Sequence, residues 1–442
     1  MDLLFIVQFL VILGVLAVGA RVGGVGLGLW GGVGLILLAL LGAAPTSPPV
    51  DVMLIILAVI MAASVMDAAG GIDYLVGIAE RVIRRNPKQI TIVAPFVTYG
   101  FTFLAGTGHI IYPLLPVIFE TAHRNGIRPE RPMAIALIAS QQAITASPVA
   151  AATAAMIAIF SAENLDFGLP QIMMICVPST LVGVLVGALV QTRVGKDLKD
   201  DPEYQQRVKD GLVKVEAMKR GVKRELPATA KRSAWIFLAG VALVVVAGFF
   251  PSVREIGWGE GKEQVPMPVA IEVVMLAVAA VLLLVTKVKP DRVVMTKTCQ
   301  AGITAVVGIF GLAWMGDTFI NANRELVLGG LGGMAEAAPW TFAIGLFFAS
   351  VLLYSQAATA RALMPLGLAL GINPALLIGM FPAVNGYFLI PNYGSIIATI
   401  NFDLSGTTRI GKYVLNHSFM IPGLVSTGTA VGVGLLLASV IL

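Results

Sequence analysis

The stretch from Thr91 to Glu120 constrains the fold of this chain more than any other feature, because it is apolar, nearly uncharged and flanked by basic clusters. One cluster spans residues 81–88 and the other spans residues 124–131. Basic residues concentrate on one side of a membrane, so both ends of the stretch belong on that side. As a helix it reaches roughly 44 Å, which is too short to cross a hydrocarbon core of about 30 Å twice. The sequence therefore predicts a re-entrant hairpin.

Composition places the whole chain in the membrane. Charged residues are 12% and hydrophobic residues 57% of the 442, whereas an ordinary soluble domain has about 25% charged residues. The fold class predicted is an all-α polytopic membrane protein. Two cysteines in separate apolar segments indicate neither a disulfide framework nor a metal site, and no cofactor is predicted. The net charge of +5 arises from loops and indicates topology, not a nucleic-acid partner.

The order of apolar segments predicts two inverted repeats with about ten transmembrane helices. The first repeat, residues 1–191, contains the hairpin 91–120 and five spans, near 2–19, 23–42, 50–69, 134–162 and 170–191. A polar cytoplasmic linker, residues 192–232, follows. The second repeat, residues 233–442, contains a second hairpin, 340–370, and five spans, near 233–250, 268–287, 299–320, 374–400 and 413–441. Because five crossings precede it, the second repeat begins on the opposite side of the membrane.

The distribution of basic residues supports this topology. With the linker in the cytoplasm, all but four of the 30 Lys and Arg residues fall in cytoplasmic loops, the exceptions being Arg254, Lys262, Arg324 and Arg361. Both termini are then predicted to be periplasmic. Apolar residues from Tyr204 to Val222 recur at helical spacing among many charges. This pattern favours a solvated connector helix, with an inner-leaflet helix or a partner-docking helix as alternatives.

Each predicted hairpin is followed by an apolar segment that proline interrupts. The hairpin tips lie near Gly106–His109 and Ser355–Thr359, and the breaks lie at Ala146–Pro148 and Ile390–Gly394. Proline removes a backbone donor and glycine permits a turn, and broken helices at matching positions indicate a midplane binding site. The polar residues near the breaks are Gln141, Gln142, Thr145 and Ser147 in one repeat, and Asn385, Tyr387, Asn392, Tyr393 and Ser395 in the other. Hydroxyls, amides and helix N-termini can bind a carboxylate.

Each of these residues also has a purely structural interpretation. Proline kinks and hydrogen bonds from Ser or Thr between helices occur in membrane bundles that bind no ligand. His109 is either a packing residue or a proton carrier. Arg361 falls at mid-depth, where an arginine costs about 2.5–3.5 kcal/mol even on a lenient insertion scale. It either extends to an interface, pairs structurally or binds a substrate carboxylate.

Several longer blocks resemble one family, the anaerobic C4-dicarboxylate transporters of the Dcu type. The blocks are Arg84–Lys88, Val93–Val97, Gly106–His109, Asn125–Pro132, Ala146–Val149, Ser355–Ala358, Phe402–Thr408, Asn416–Phe419 and Pro422–Leu424. The resemblance runs from the first span to the last. It implies exchange of fumarate, malate or aspartate for succinate across the bacterial inner membrane during anaerobic fumarate respiration. In some modes a sodium or proton gradient would drive uptake.

The arrangement is also similar to the wider ion-transporter superfamily, which implies a homodimer and an elevator-like mechanism. Residues 91–162 and 341–400 would then move against spans such as 23–42 and 268–287. By this resemblance Thr107, Ser147, Ser355, Gln356 and Asn392 line the substrate site. The full candidate set adds His109, Gln142, Thr145, Thr359, Arg361, Asn385 and Tyr393.

Two other classes of protein can be compared with the sequence. The sequence has no His-Glu-x-x-His, Gly-x-Gly-Asp or Gly-x-Ser-Gly motif, so no enzyme is predicted. The alternative is a cation-coupled transporter of another small organic anion. Asp67 and Asp317 lie near the ends of their spans, and the lack of carboxylates deep in the spans favours an anionic substrate over a cation.

Overall fold

The computed structural model describes residues 3–22, 25–213, 226–257, 263–323, 325–326, 338–353, 355–391, 393–411, 413 and 415–442. The described part is almost entirely helical, apart from a two-residue antiparallel pairing of Glu255–Ile256 with Glu263–Gln264. The α-helices are Leu3–Val22, Gly26–Leu40, Val50–Ala68, Gly71–Arg85, Ile90–Ala105, Leu115–Arg124, Glu130–Ala146, Ala151–Ala162, Leu169–Gln191, Pro202–Lys209, Ala230–Phe249, Met267–Thr286, Pro290–Val294, Lys297–Gly308, Trp314–Ala322, Thr341–Leu353, Gln356–Ala369, Pro374–Met380, Gly394–Phe402 and Met420–Ile441. Short 3₁₀ segments cover Pro87–Gln89, Gly108–Ile111, Pro251–Arg254 and Phe381–Phe388.

Several of these helices are long and apolar enough to cross a membrane. Among the described residues six helical stretches are of spanning length: Glu130–Ala162, Leu169–Gln191, Ala230–Phe249, Met267–Thr286, Lys297–Ala322 and Met420–Ile441. A seventh arises if the bent pair Met53–Ala68 and Gly71–Arg85 counts as one span. Shorter apolar helices are present as well, for example Leu3–Gly19. The structure is therefore that of a polytopic helical membrane protein, and the number of ten crossings stays a prediction.

The last long helix of each half forms a closely packed central pair. Leu169–Gln191 packs along Met420–Ile441, and small residues let the two backbones approach. A Cβ on Gly183 would lie 2.4 Å from the carbonyl oxygen of Ser426. The broken helix of each half packs against this pair. We call residues 130–162 the first broken helix and residues 374–402 the second broken helix.

Each hairpin lies on the broken helix that follows it, and polar contacts join them. In the first half the Thr98 hydroxyl donates to the Ala136 carbonyl at 2.8 Å, and the Thr102 and Ser140 hydroxyls are 2.7 Å apart. In the second half the Gly386 amide donates to the Ser350 hydroxyl at 2.7 Å. We call the two hairpins, the two broken helices and the central pair the central unit.

The remaining long helices surround part of this unit, and we call them the frame. Gly26–Leu40 packs against the helix 297–322, and Met267–Thr286 packs against Val50–Ala68. The first contact is very close, because a Cβ on Gly311 would lie 1.7 Å from the Gly28 carbonyl oxygen. A π-helical turn, Ile309–Ala313, interrupts the helix at this point.

Two elements within the repeats differ from the sequence-based prediction. An amphipathic helix, Gly71–Arg85, follows the third span after a bend of 74° and was not predicted. The last span begins at Met420, so the predicted start near residue 413 is wrong. The chain before Met420 instead turns back on itself, because an isolated antiparallel bridge joins Ile410 to His417 and the Ser418 amide donates to the Arg409 carbonyl at 3.1 Å.

The linker is not a solvated connector in its described part, residues 192–213. Its helix, Pro202–Lys209, docks on the protein, and residues 214–222 of the predicted helical pattern lie outside the described residues. Tyr204 is buried and its hydroxyl lies 2.8 Å from His123 Nε2, while Asp201 pairs with Arg128. On the other side of the helix, the Arg207 guanidinium donates to the Ser405 carbonyl at 3.1 Å. The linker helix therefore contacts one loop from each half of the chain.

Candidate functional site

The first hairpin turns on glycines that allow it to touch the first broken helix. Ile90–Ala105 ends at Gly106, whose φ is +70°, and a Cβ there would lie 2.7 Å from the Val149 carbonyl oxygen. A Cβ on Gly108 would lie 2.5 Å from Gln141 Nε2. Thr107 caps the following 3₁₀ segment, and its hydroxyl lies 2.9 Å from His109 Nδ1. The tip residues Thr107 and His109 are therefore held against the break in the neighbouring helix.

The first broken helix is interrupted where the sequence predicts it. Ser147, with ψ +129°, is extended because Pro148 follows and disfavours a helical conformation at the preceding residue. The Ser147 hydroxyl donates to the Phe103 carbonyl at 2.7 Å and so satisfies an acceptor near the end of the hairpin arm. The helix resumes at Ala151.

The second half repeats this arrangement with different residues. Ser355 caps the helix Gln356–Ala369, and its hydroxyl accepts from the Ala358 amide at 3.2 Å. In the second broken helix a 3₁₀ segment, Phe381–Phe388, precedes the break, and an α-helix begins at Gly394 after it. Asn392 lies outside the described residues.

Both tips and both breaks surround one cavity of about 630 Å³. This volume is within the usual range of small-molecule sites. The frame helix 297–322 closes the cavity with Ala301, Thr304, Gly308 and Leu312. Its polar lining residues are Thr107, His109, Tyr112, Gln141, Thr304, Ser350, Ser355, Gln356, Tyr387, Tyr393 and Ser395. Among the described lining residues there is no Asp, Glu, Lys or Arg.

A buried amide network supports one wall of this cavity. Gln356 Nε2 donates to the Gln141 carbonyl at 3.0 Å and to Asn385 Oδ1 at 2.6 Å. Asn385 Nδ2 lies 3.3 Å from Gln142 Oε1, and Gln142 Nε2 donates to the Thr427 hydroxyl at 2.8 Å. The network therefore ties the second hairpin tip, both broken helices and the last helix together.

Three buried polar atoms of cavity-lining residues have no hydrogen-bond partner within the described protein. They are Gln356 Oε1, the Tyr387 hydroxyl and the Ser395 hydroxyl. An unsatisfied buried polar atom costs about 1–3 kcal/mol. A polar ligand in the cavity can offset that cost, so these atoms are candidates for ligand contacts.

The structure brings five of the predicted site residues to the cavity: Thr107, His109, Ser355, Gln356 and Tyr393. Five others lie behind its wall and use their polar groups within the protein. Of these, Gln142 and Asn385 belong to the amide network, and Ser147 bonds to Phe103. Thr145 and Thr359 are fully buried, and their hydroxyls donate to backbone carbonyls of their own helices.

Arg361 has a partner in the frame. One of its terminal nitrogens lies 3.1 Å from an Asp317 carboxylate oxygen, and neither side chain is more than 19% exposed. Its Nε has no hydrogen-bond partner in the described protein. Arg361 is not among the cavity-lining residues. The contact joins the second hairpin to the helix Trp314–Ala322.

Sequence reasoning missed several lining residues as members of the site. Gln141, Tyr387 and Ser395 lie beside the predicted breaks but are not among the predicted site residues, although their position along the chain is a usable signal. Tyr112 follows the first tip and lies 5.8 Å from His109 between ring centroids. The frame residues Ala301, Thr304, Gly308 and Leu312 carry no local signal, because only tertiary packing brings their helix to the cavity.

These features define a class: a polytopic helical membrane protein in which hairpin tips and interrupted helices surround a solute-sized cavity with polar side chains in its wall. Comparison with known proteins then identifies the family. The family model described as anaerobic C4-dicarboxylate membrane transporter, DcuA_DcuB, matches residues 4–442. The chain belongs to this family.

Curated relatives cover the whole chain. The C4-dicarboxylate transporter DcuA of Escherichia coli strain K12 is 42% identical over 441 residues, covering 99% of this chain and 100% of that protein. DcuA of Wolinella succinogenes is 42% identical over 443 residues, with the same coverage. The anaerobic C4-dicarboxylate transporter DcuB of Escherichia coli O157:H7 is 39% identical over 451 residues, or 99% of each chain. These relatives are named as transporters, which agrees with the prediction that the chain is not an enzyme.

Proposed function

We propose that this protein exchanges C4-dicarboxylates, among them fumarate, malate, aspartate and succinate, across the bacterial inner membrane. The proposed binding site is the 630 Å³ cavity. The observation that carries this proposal is the meeting of both hairpin tips and both helix breaks around unpaired polar atoms. The names of the relatives supply the substrate class.

Recognition of the substrate uses dipoles in place of fixed charges. The N-termini of Gln356–Ala369 and Gly394–Phe402 lie at the cavity, where Gln356 and Gly394 line it. A helix N-terminus carries a partial positive charge and free amide donors, which favour a carboxylate. The Tyr387 and Ser395 hydroxyls can each donate to a carboxylate oxygen. The two helix ends offer one place for each carboxylate of a C4 acid.

The uncharged lining also favours exchange over unaccompanied uptake. A dianion in a cavity without fixed charge crosses the membrane with its full charge. Moving one elementary charge against a potential costs about 2.3 kcal/mol per 100 mV. When one dianion leaves as another enters, no net charge crosses and this cost disappears. Coupling to a sodium or proton gradient would provide the alternative route.

Helix packing supports the inverted repeat. The second frame helix of each half packs against the third frame helix of the other half: Gly26–Leu40 with 297–322, and Met267–Thr286 with Val50–Ala68. The two final helices pack against each other. This is the pattern that a two-fold axis between residues 1–191 and 233–442 produces. The linker 192–232 would then be cytoplasmic and both termini periplasmic.

For transport we propose an elevator-like movement of the central unit against the frame, in a homodimer. The predicted mobile segments, residues 91–162 and 341–400, share extensive packing with Leu169–Gln191 and Met420–Ile441. The mobile unit therefore also includes this central pair. The frame helices, among them Gly26–Leu40 and Met267–Thr286, would stay in place.

Counterflow in proteoliposomes tests the function. Vesicles loaded with fumarate should take up external labelled succinate, and empty vesicles should take up far less. Equal uptake with and without internal fumarate would contradict exchange. If neither condition gives uptake, nor an imposed sodium or proton gradient, C4-dicarboxylates are not the substrate. Competition by other organic anions would then identify the alternative class.

A further inference from the structure

His109 is the only histidine that lines the central cavity. The chain has three histidines, and the other two, His123 and His417, lie elsewhere: His123 contacts the linker and His417 lies at a second cavity. The His109 ring is exposed at the first hairpin tip and also borders a smaller crevice of about 120 Å³ between the tip and the frame. A group in this position can meet both a bound solute and solvent.

The partner of His109 fits either protonation state of the imidazole. The Thr107 hydroxyl lies 2.9 Å from Nδ1 and accepts from the His109 backbone amide at 3.4 Å. In the neutral ring Nδ1 accepts the hydroxyl hydrogen, which leaves the proton on Nε2. In the charged ring both nitrogens donate, and the hydroxyl rotates to accept from Nδ1. Protonation therefore needs only a hydroxyl rotation at this contact.

No fixed charge competes with the substrate for His109. Two elements pack against the segment of His109, and the first, Ile90–Ala105, has no charged residue. The second, Glu130–Ala146, has charged residues only at its far end. There Glu130 pairs with Arg128 and Arg131 pairs with Asp197. The other titratable groups on facing elements are Tyr112, Tyr387 and Tyr393 in the cavity wall, Asp67 bonded to Thr298, Lys297 at a helix start, and the pair Asp317–Arg361. Within the described lining, a bound dianion would be the dominant charge beside the imidazole.

From this geometry we propose that His109 takes up one proton when a C4-dicarboxylate binds and carries that proton through the membrane with the substrate. The proposal rests on the function proposed above and specifies its coupling ion. An adjacent dianion favours the charged imidazole, and release of the dianion favours the neutral one. Nε2 carries a hydrogen in both states and can donate it to a carboxylate oxygen. Binding of substrate and proton is reciprocal, so a pH gradient that is acidic outside favours net uptake, while one negative charge still crosses with each dianion.

Calorimetry on the purified full-length protein tests proton uptake separately from transport. Fumarate binding is measured between about pH 6.5 and 8 in two buffers of different ionisation enthalpy. Simple carboxylic acids titrate near pH 4, so any proton taken up in this range goes to the protein. The wild type should gain up to one proton per fumarate. Its Kd should rise by up to about tenfold per pH unit above the titration of the free imidazole.

His109→Gln removes the titration but keeps a donor close to the position of Nε2. This variant should bind fumarate with a Kd that does not vary with pH and without proton uptake. The matched controls are His123→Gln and His417→Gln, which should both behave as the wild type. Retained proton uptake in His109→Gln, or its loss in either control alone, would overturn the assignment.

The wild-type measurement decides the case if His109→Gln does not fold. Fumarate binding without proton uptake would overturn the proposal and leave dicarboxylate exchange intact. Proton uptake that both control variants retain, and that Asp67→Asn and the pair Asp317→Asn with Arg361→Met also retain, would support it, since His109 is then the remaining group near the cavity that can take up a proton in this range. Absence of any fumarate heat together with absence of counterflow would refute the transport function itself, which is a separate result.

Discussion

The Tyr387 hydroxyl is the residue-scale feature that best separates ligand binding from stability. It lines the cavity, is buried and has no partner among the described residues. Tyr387→Phe should therefore leave the melting temperature nearly unchanged. It should raise the Kd for succinate about ten- to hundredfold, because a hydrogen bond to a charged group contributes about 1.5–3 kcal/mol.

Tyr99→Phe is the matched control, measured by calorimetry and thermal unfolding. The Tyr99 hydroxyl lies 2.8 Å from the Thr180 hydroxyl, away from the cavity. Loss of this hydrogen bond should lower the free energy of unfolding by about 1 kcal/mol and leave the Kd for succinate unchanged. The reverse result, with affinity lost in Tyr99→Phe and kept in Tyr387→Phe, would place the site elsewhere.

Arg361 provides a second residue-scale prediction. Removing one partner of a largely buried ion pair costs about 3–5 kcal/mol, so Arg361→Met should lower the melting temperature clearly. Adding Asp317→Asn should recover most of the loss, because the unpaired carboxylate is gone. Thermal unfolding of both variants in detergent measures this. A stable Arg361→Met protein that no longer binds succinate would instead indicate a substrate contact.

At the scale of elements, the docked linker helix should respond to pH. Burial lowers the pKa of His123, and the nearby Asp403 carboxylate only partly opposes this effect. Because the pKa of His123 is lowered, the imidazole favours docking of the linker helix when it is neutral. This contribution is fully present above the pKa of an unfolded histidine, about 6.5. That contribution is lost as the pH falls through the lower folded pKa. Hydrogen exchange in Pro202–Lys209 should therefore accelerate at acidic pH.

Gln cannot titrate in this range, so in His123→Gln the hydrogen exchange of the linker helix should follow only the intrinsic chemical rate as the pH changes. A peptide that covers only Pro202–Lys209 reports exchange in this helix alone. An identical acceleration in wild type and variant would show that another group controls docking.

The elements that sequence reasoning located correctly are those with local signals. The breaks at Ser147–Pro148 and near Pro391, and the glycine turn at Gly106, follow from the conformational limits of Pro and Gly. The helix Gly71–Arg85 also had a signal, with Leu75, Ala79 and Ile83 buried on one face, but a search for membrane spans passes over it. The docked linker had none, since its partners Arg128 and Ser405 are 73 and 198 residues away.

At the scale of the whole molecule, the contact between the second hairpin and the frame distinguishes the proposed elevator-like movement from local gating. The helix Gln356–Ala369 packs on the helix 297–322, and the Asp317–Arg361 pair lies in this interface. The sequence analysis predicted which segments move and which stay fixed, and it gave no prediction of the surfaces at which they meet. An elevator-like movement requires this interface to slide, whereas local gating leaves it intact.

A disulfide across this interface is the most direct test of the proposed movement of the central unit against the frame. A Cβ on Gly316 would lie 3.7 Å from the Ala362 Cβ, close to the mean Cβ separation of about 3.8 Å in disulfides. The pair Gly316→Cys and Ala362→Cys is placed in a chain whose own Cys176 and Cys299 are replaced by alanine. As a control, Thr46→Cys with Thr318→Cys links two frame residues whose hydroxyls are 3.2 Å apart.

The measurement is counterflow of succinate against fumarate before oxidation, after oxidation and after reduction. If the central unit moves against the frame, the oxidised Gly316–Ala362 pair should stop exchange while succinate still binds, and reduction should restore the rate. The oxidised control pair should transport normally. Exchange at full rate through the fully oxidised Gly316–Ala362 protein would contradict the movement of the central unit against the frame.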